Sequence, residues 1–374
     1  MKKNKVAFVF HPLNIATLAL MLGMSEKVLR MISKQWIYKA MSLKQPFILE
    51  KIEGLVSKSN SEIDLVCIVC PLLPEQMVTI DHGEAVQKVI ESVRLAIKEG
   101  ASLAVLAGFT SVIGNEGLDV ANSVGINVTT GNTYTSALTL DGINKAAESL
   151  GVDISRCKCA VIGATGDIGS VCVRYLAQNA AILSLAARSE SKLNLFANKI
   201  MSSAKAKVEV HKKTSEAIQD ADIIISATSA LTTIIDPFFL KPGAIVCDVS
   251  LPANIAREIS RHRADLFIFE GGLCRMPYHE NIKKSKLGVW WAKNAIYGCL
   301  GEGLILAHSN YFQNYSLGRG NISDDKIVEI STLAQLHGFE LADFFCGSKY
   351  YSSSDVEFIK CAIHKRNQVL SIRD

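Results

Sequence analysis

Along this chain, short unbroken apolar runs alternate with apolar residues at helical spacing, and that alternation predicts the architecture. In the first part, residues 6–10, 63–70, 103–106 and 125–128 read as strands. Such runs suit strands buried on both faces of a parallel sheet. Between them Val86, Val89, Ile90, Val93 and Ile97 fall on one helix face that stops at Gly100. Further on, residues 159–162, 181–187, 222–229 and 244–249 repeat the strand signal, and Val171, Val173, Tyr175 and Leu176 mark a helix between the first two. The fold class expected is α/β: an N-terminal α/β substrate domain over 1–150, a Rossmann-like dinucleotide-binding domain over 151–275, and a mainly helical region over 276–374 carrying the candidate nucleophile. The last 25 residues read as peripheral.

The sharpest local signal lies where the run 159–162 ends, in Gly163-Ala164-Thr165-Gly166-Asp167-Ile168-Gly169-Ser170. A strand that turns abruptly into a helix needs Gly163 for backbone angles a β-carbon forbids. Gly166 lets the main chain approach a pyrophosphate, and Gly169 lets the helix pack on the strand. The amides from Asp167 onward, with Thr165 and Ile168 beside them, would face the phosphates. The second strand ends in Arg188-Ser189 rather than in the acidic residue that binds a ribose 2′-hydroxyl. A guanidinium matches phosphate geometry, so NADPH is the expected cofactor, with Lys192 in reach to assist. Ala227 and Thr228, at the end of the run 222–229, are expected at the cofactor crevice, where open α/β sheets place their ligands.

Composition narrows the partners. With 40 Lys and Arg against 36 Asp and Glu, the net charge of +4 is too small to imply nucleic-acid binding. Basic clusters at Arg257, Arg261 and Arg263 and at Lys283, Lys284 and Lys286 read as solvated surface. Ten cysteines follow no disulfide spacing, which points to a reducing cytoplasm. Cys67 and Cys70 lie in a buried-strand pattern without a second ligand pair, so they read as core rather than as a metal site. His11 and Pro12 break the first apolar run, which therefore reads as a strand and not a signal peptide. No stretch approaches the ~20 apolar residues of a membrane span.

The candidate chemistry falls in residues 293–305, which read as a helix loaded with Gly298, Gly301 and Gly303. Each glycine costs a helix interior about 1 kcal/mol relative to alanine, and close approach by a neighbour, an acyl chain or a cofactor ring is a reason to carry them. Cys299 and Glu302 stand three apart and share a face. A thiol beside a carboxylate is a workable arrangement for thioester reduction, although a lone cysteine in an apolar helix is more often inert core. The polar segment Thr129-Thr130-Gly131-Asn132-Thr133-Tyr134-Thr135 either lines a cleft where strand passes to helix or caps that helix through Thr130 or Asn132.

These segments, taken in order with Gly108-Phe109-Thr110-Ser111, Gly271-Gly272, Tyr315-Ser316-Leu317-Gly318-Arg319 and His337-Gly338-Phe339, resemble the cyanobacterial long-chain fatty acyl-[acyl carrier protein] reductases that make fatty aldehydes. The likeness runs from about residue 80 to 340. It implies that Cys299 is the residue acylated, that Glu302 matches a family glutamate, and that the substrate is an acyl thioester of acyl carrier protein or coenzyme A. A downstream enzyme consuming the aldehyde is a further partner it admits. Ser111, Asn132 and Thr133 are the substrate-side candidates. The chain departs from the family in its first 80 residues, in its longer tail, and at Asp248-Val249-Ser250-Leu251-Pro252, where the family has Asp-Gly-Gly-Tyr-Pro. Two alternatives stand beside this reading: an NADP-dependent dehydrogenase of a small hydroxy or keto acid, like shikimate dehydrogenases, and a non-enzymatic NADP-sensing binding protein. No Lys–Asp pair placed for proton transfer stands out in the first domain, which counts against the former.

Overall fold

The computed structural model describes residues 4–231, 233–255, 259–278 and 295–371. The chain divides into two compact units, Met1–Tyr134 with Cys274–Glu340, and Thr135–Leu273 with Leu341–Asp374. Where the sequence reading places boundaries at 150 and 275, the chain passes between units at 134, 273 and 340. The C-terminal region is mostly helical, but its helices are shared between the two units.

The first unit is built on a five-stranded sheet in the order β2-β3-β1-β4-β5. Its strands are β1 (Asn4–Phe10), β2 (Phe47–Val56), β3 (Glu62–Val69), β4 (Leu103–Leu106) and β5 (Asn127–Thr129). β1, β3, β4 and β5 run parallel, as their unbroken apolar runs imply. β2 is an antiparallel edge strand with two register shifts. Its buried residues Leu49, Ile52 and Leu55 come every third position, neither a continuous run nor a strand alternation, so the sequence pattern does not show it. Against this sheet packs the helix Gly298–His308, in which every residue except Cys299 is buried. Apolarity all round a helix is the mark of a central one, and the glycines explain how close it comes. A β-carbon on Gly303 would stand 2.1 Å from the Val105 side chain of β4.

The second unit holds a six-stranded parallel sheet in the order β11-β10-β9-β6-β7-β8. These strands are β6 (Lys158–Ile162), β7 (Ile182–Ala186), β8 (Lys207–His211), β9 (Ile223–Ser226), β10 (Ile245–Asp248) and β11 (Phe267–Glu270). This is the doubly wound order of dinucleotide-binding sheets, with the first strand of the unit central and the order reversing beside it. The α/β class expected from the sequence is the one found. The tail is not peripheral, however. Ile359 and Ile363 of the helix Ser353–Ser371 belong to the core of this unit. Arg366 donates to Asp222 at 3.0 Å and to the Pro242 carbonyl. Val356 packs beside the two isoleucines, and among the described residues these few spaced side chains leave no visible apolar stripe.

Among the described residues, no helix is long and apolar enough to cross a membrane.

Candidate functional site

In the second unit the glycine turn has the geometry its residues predict. Gly163 follows β6 at φ +84°, and a β-carbon there would lie 2.2 Å from the Ala227 carbonyl oxygen after β9. A β-carbon on Gly169 would lie 2.2 Å from the Gly163 oxygen, so the helix Asp167–Asn179 rests on the turn itself. Gly166 differs, because its nearest neighbour would be at 3.3 Å. It is the N-cap, without a side-chain cap, and Gly163, Thr165, Gly166 and Ile168 all keep some exposure. First-turn amides have no partner within their helix, and a bare N-cap leaves room for an anion there.

At the end of β7, Arg188 is exposed and makes no ion pair or hydrogen bond among the described residues. Ser189 serves as N-cap of the helix Glu190–Met201, accepting from the Lys192 amide at 3.5 Å. Beside the turn, Thr228 is held by Ser250 and Asn254, whose contacts to it are both 3.1 Å. Asp248 is spoken for locally: it accepts the amides of Ser250, Asn254 and Ile255 and so shapes the loop that follows β10. The residues present thus fit a dinucleotide: a glycine that leaves room for close approach at a helix N-terminus, and an exposed cation at the end of the next strand.

In the first unit the nucleophile candidate stands where the sequence did not place it. The expected helix over 293–305 begins at Gly298, preceded by a short strand, Ala295–Tyr297. Lys293 and Asn294 lie outside the described residues. Cys299 therefore occupies the first turn of an 11-residue helix, with Tyr297 as N-cap. It is only half-buried, and burial nonetheless pushes its thiol up to about 12, with the Glu302 charge adding to the rise. The backbone amides of Leu300 and of Cys299 itself oppose that rise. This is the helix-terminus effect that favours a thiolate.

Directly over Cys299 lies Gly131, at φ +75°, where a β-carbon would stand 2.1 Å from the cysteine Cα and 2.4 Å from its Cβ. Glu302, fully buried, holds this arrangement. It accepts the Thr129 hydroxyl, the Tyr134 amide at 2.8 Å and the Ser316 hydroxyl at 3.0 Å. Thr129 in turn accepts the Gly131 amide at 3.3 Å. Burial raises the carboxyl pKa of Glu302 and the three donors work against it. No hydrogen bond joins Glu302 to Cys299.

Three segments singled out in the sequence, 129–135, 297–302 and 315–319, meet in this network. Thr133 donates its amide to Ser316 at 3.1 Å and shares a second bond with it through their hydroxyls. Asn132 opens the helix Asn132–Leu150 and is partly exposed. Ser111 donates to the Gly108 carbonyl at 2.7 Å within its own turn. Beside that turn His11, buried at the end of β1, accepts the Phe109 amide on Nε2 at 2.9 Å and donates from Nδ1 to the Pro12 carbonyl. Burial lowers its pKa to about 4. Nothing local in the sequence marks His11, Gly131 or Ser316 as scaffold, since the Phe109, Cys299 and Thr133 that they respectively meet lie about a hundred residues or more away. Arg257, Lys283, Lys284 and Lys286, and the side chain of Arg261, lie outside the described residues, while Arg263 is paired with Asp265 at 2.8 Å.

Residues 144–269, about a third of the chain and wholly in the second unit, match the model of the shikimate / quinate 5-dehydrogenase family. The long-chain acyl-[acyl-carrier-protein] reductase of Synechococcus elongatus is 28% identical over 280 residues, covering 72% of this chain and 80% of that one. Aminotransferase PigE of Serratia sp. is 27% identical over 286 residues, 76% of this chain but 33% of its own length. Glutamyl-tRNA reductase of Streptococcus sanguinis is 37% identical over 108 residues, 29% of this chain and 25% of that one. The chain thus spans a third of PigE and a quarter of the glutamyl-tRNA reductase. Together with the glycine turn and the sheet order, these similarities support a pyridine nucleotide cofactor and, as the class, an NAD(P)-dependent reductase.

Proposed function

We propose that the chain reduces a fatty acyl thioester, carried by acyl carrier protein or coenzyme A, to the fatty aldehyde with NADPH. The observation that carries this reading is the placement of Cys299. Eight of the ten cysteines are buried and Cys361 is exposed on the last helix; Cys299 alone is partly accessible in the first turn of a buried helix. The similarity to the Synechococcus reductase supports the substrate class. The shikimate dehydrogenase match covers only the nucleotide-binding unit and gives no support to a hydroxy-acid substrate.

In this mechanism the Cys299 sulfur attacks the thioester carbonyl. A carbon–sulfur bond forms to Cys299 as the one to the carrier breaks, and the thiol proton ends on the departing carrier sulfur. NADPH, when bound, supplies the hydride that takes the thioacyl group to the aldehyde level. Cys299 sulfur then departs with the bonding pair, takes up a proton and is regenerated. Glu302 acts as a positioning residue, holding Thr129 and Tyr134 so that Gly131 covers the thiol. Arg188 would hold the 2′-phosphate of the bound nucleotide, and the first-turn amides after Gly166 would hold its pyrophosphate. Aldehyde formation from NADPH and a panel of acyl thioesters tests the proposal: wild type yields aldehyde and Cys299→Ala yields none while still binding NADPH. Aldehyde at the wild-type rate from Cys299→Ala would sink it.

A further inference from the structure

Between β1 and β2 the chain inserts three short helices, Ile15–Leu22, Glu26–Met31 and Lys34–Leu43. Leu18, Ala19, Leu29, Ile37 and Met41 pack inward with Leu73 to form a small core of their own. The outer side is also apolar, which a solvated face has no reason to be. Met31 is 87% exposed, Leu43 74% and Trp36 67%, and Leu20 and Val28 are about half exposed. Trp36 and Leu43 are seven apart on one helix and share a face. Grouped apolar exposure on this scale marks an interaction site rather than ordinary surface.

Charge identifies the partner. Residues 20–44 hold Lys27, Arg30, Lys34, Lys39 and Lys44 against Glu26 alone, a net +4 equal to that of the whole 374-residue chain. All five cations are exposed. Glu26 is taken up by Arg30 at 2.6 Å, and the four lysines make no ion pair among the described residues. Lys39 lies 5.6 Å from the Trp36 ring centroid, so apolar and cationic groups interleave on the same face. Protein interfaces are depleted in lysine. Lysines flanking tryptophan and aliphatic side chains are instead the pattern of surfaces that lie in the headgroup region of a bilayer.

We infer that the helices of residues 15–43 are a docking surface for an anionic lipid membrane. Met31, Trp36 and Leu43 enter the headgroup and acyl boundary, and the lysines meet the lipid phosphates. The inference does not rest on the proposed reaction.

Sedimentation of the full chain with vesicles tests it, comparing phosphatidylcholine alone with phosphatidylcholine containing about a third phosphatidylglycerol. The chain should sediment with the mixed vesicles and stay in solution with the neutral ones. The combined variant Met31→Glu, Trp36→Glu, Leu43→Glu, with circular dichroism and NADPH affinity unchanged, should lose the binding. Lys27→Glu with Lys34→Glu and Lys39→Glu should weaken it about tenfold or more. Failure of wild type to sediment, equal sedimentation of the apolar variant, or indifference to lipid charge would each overturn the inference. So would a wild-type dimer by light scattering that the apolar variant abolishes without any vesicle binding, which would assign the face to a second copy. Capture of acidic acyl carrier protein by wild type and not by the variants, again without vesicle binding, would assign it to that protein and overturn the inference equally.

Discussion

Gly131 and Cys299 are in backbone contact: a β-carbon at position 131 would lie 2.1 Å from the cysteine Cα. The left-handed φ of +75° and this approach both demand glycine, so the segment after β5 is a fitted cover over the first turn of the helix Gly298–His308. Gly131→Ala should therefore cost more than about 2 kcal/mol, from the left-handed penalty plus overpacking. Urea denaturation checks the loss, and thioester-dependent labelling of Cys299 should fall with it. An alanine variant of wild-type stability would show that the contact is not tight.

Glu302 holds that cover by three hydrogen bonds and touches the thiol by none. Glu302→Gln keeps the shape but turns an amide NH2 towards donors, at a cost of about 1–3 kcal/mol. The pH dependence is distinctive. A carboxyl whose folded pKa is raised contributes stability below its unfolded pKa near 4.5 and loses it as pH rises through the folded value. The stability difference between wild type and Glu302→Gln should accordingly shrink as pH rises from 4 towards neutrality. A difference constant with pH would contradict the assignment.

His11 is buried and neutral, lowered from 6.5 to about 4. A base with a depressed pKa binds fewer protons folded than unfolded, so stability is complete above about pH 6.5 and is lost as pH falls towards 4. The loss is on the order of 3 kcal/mol. Replacing His11 by Asn should flatten the pH profile of folding free energy over that window. His308, lowered to about 3 by burial and by the neighbouring His337, loses stability in the same direction and extends it to lower pH.

Arg188 is exposed, makes no ion pair or hydrogen bond among the described residues, and is the residue proposed to hold the 2′-phosphate. Charge-assisted hydrogen bonds contribute about 1.5–3 kcal/mol, so Arg188→Ala should raise the Kd for NADPH by about ten- to a hundredfold and leave that for NADH within twofold of wild type. Equal losses for both nucleotides would assign Arg188 to something other than the phosphate.

The Cys299 thiol is pushed up to about 12. Thiolate is the reactive form, so iodoacetamide labelling of the Cys299 peptide should climb about tenfold per pH unit between pH 7 and 9. A plateau near pH 7 would show an activated thiolate in the resting protein.

How much of this was legible depends on how local the cause is. The glycine turn could be read because each glycine's reason lies within a strand, a turn and a helix of a few residues, and the parallel sheets because their strands are unbroken apolar runs. The start of the helix Gly298–His308 could not, since the apolar residues Ala295–Tyr297 continue helical spacing backwards while the chain extends them as a strand. That one difference moves Cys299 from mid-helix to a helix terminus, which supplies the stabilising amides a mid-helix thiol would lack. Nor could the partners of Glu302 be seen, being 14 to 173 residues away in sequence. β2 and the docking of the tail helix were not legible for a related reason, because an edge strand with two register shifts and a helix docked through a few spaced side chains leave weak periodicity.

The most direct test of the account is the mass of the protein after incubation with a fatty acyl thioester in the absence of NADPH. The account predicts a single acyl adduct on the Cys299 peptide, absent from Cys299→Ala, that disappears as an equal amount of aldehyde forms when NADPH is added. An unmodified Cys299 in a preparation that still makes aldehyde on addition of NADPH would contradict it.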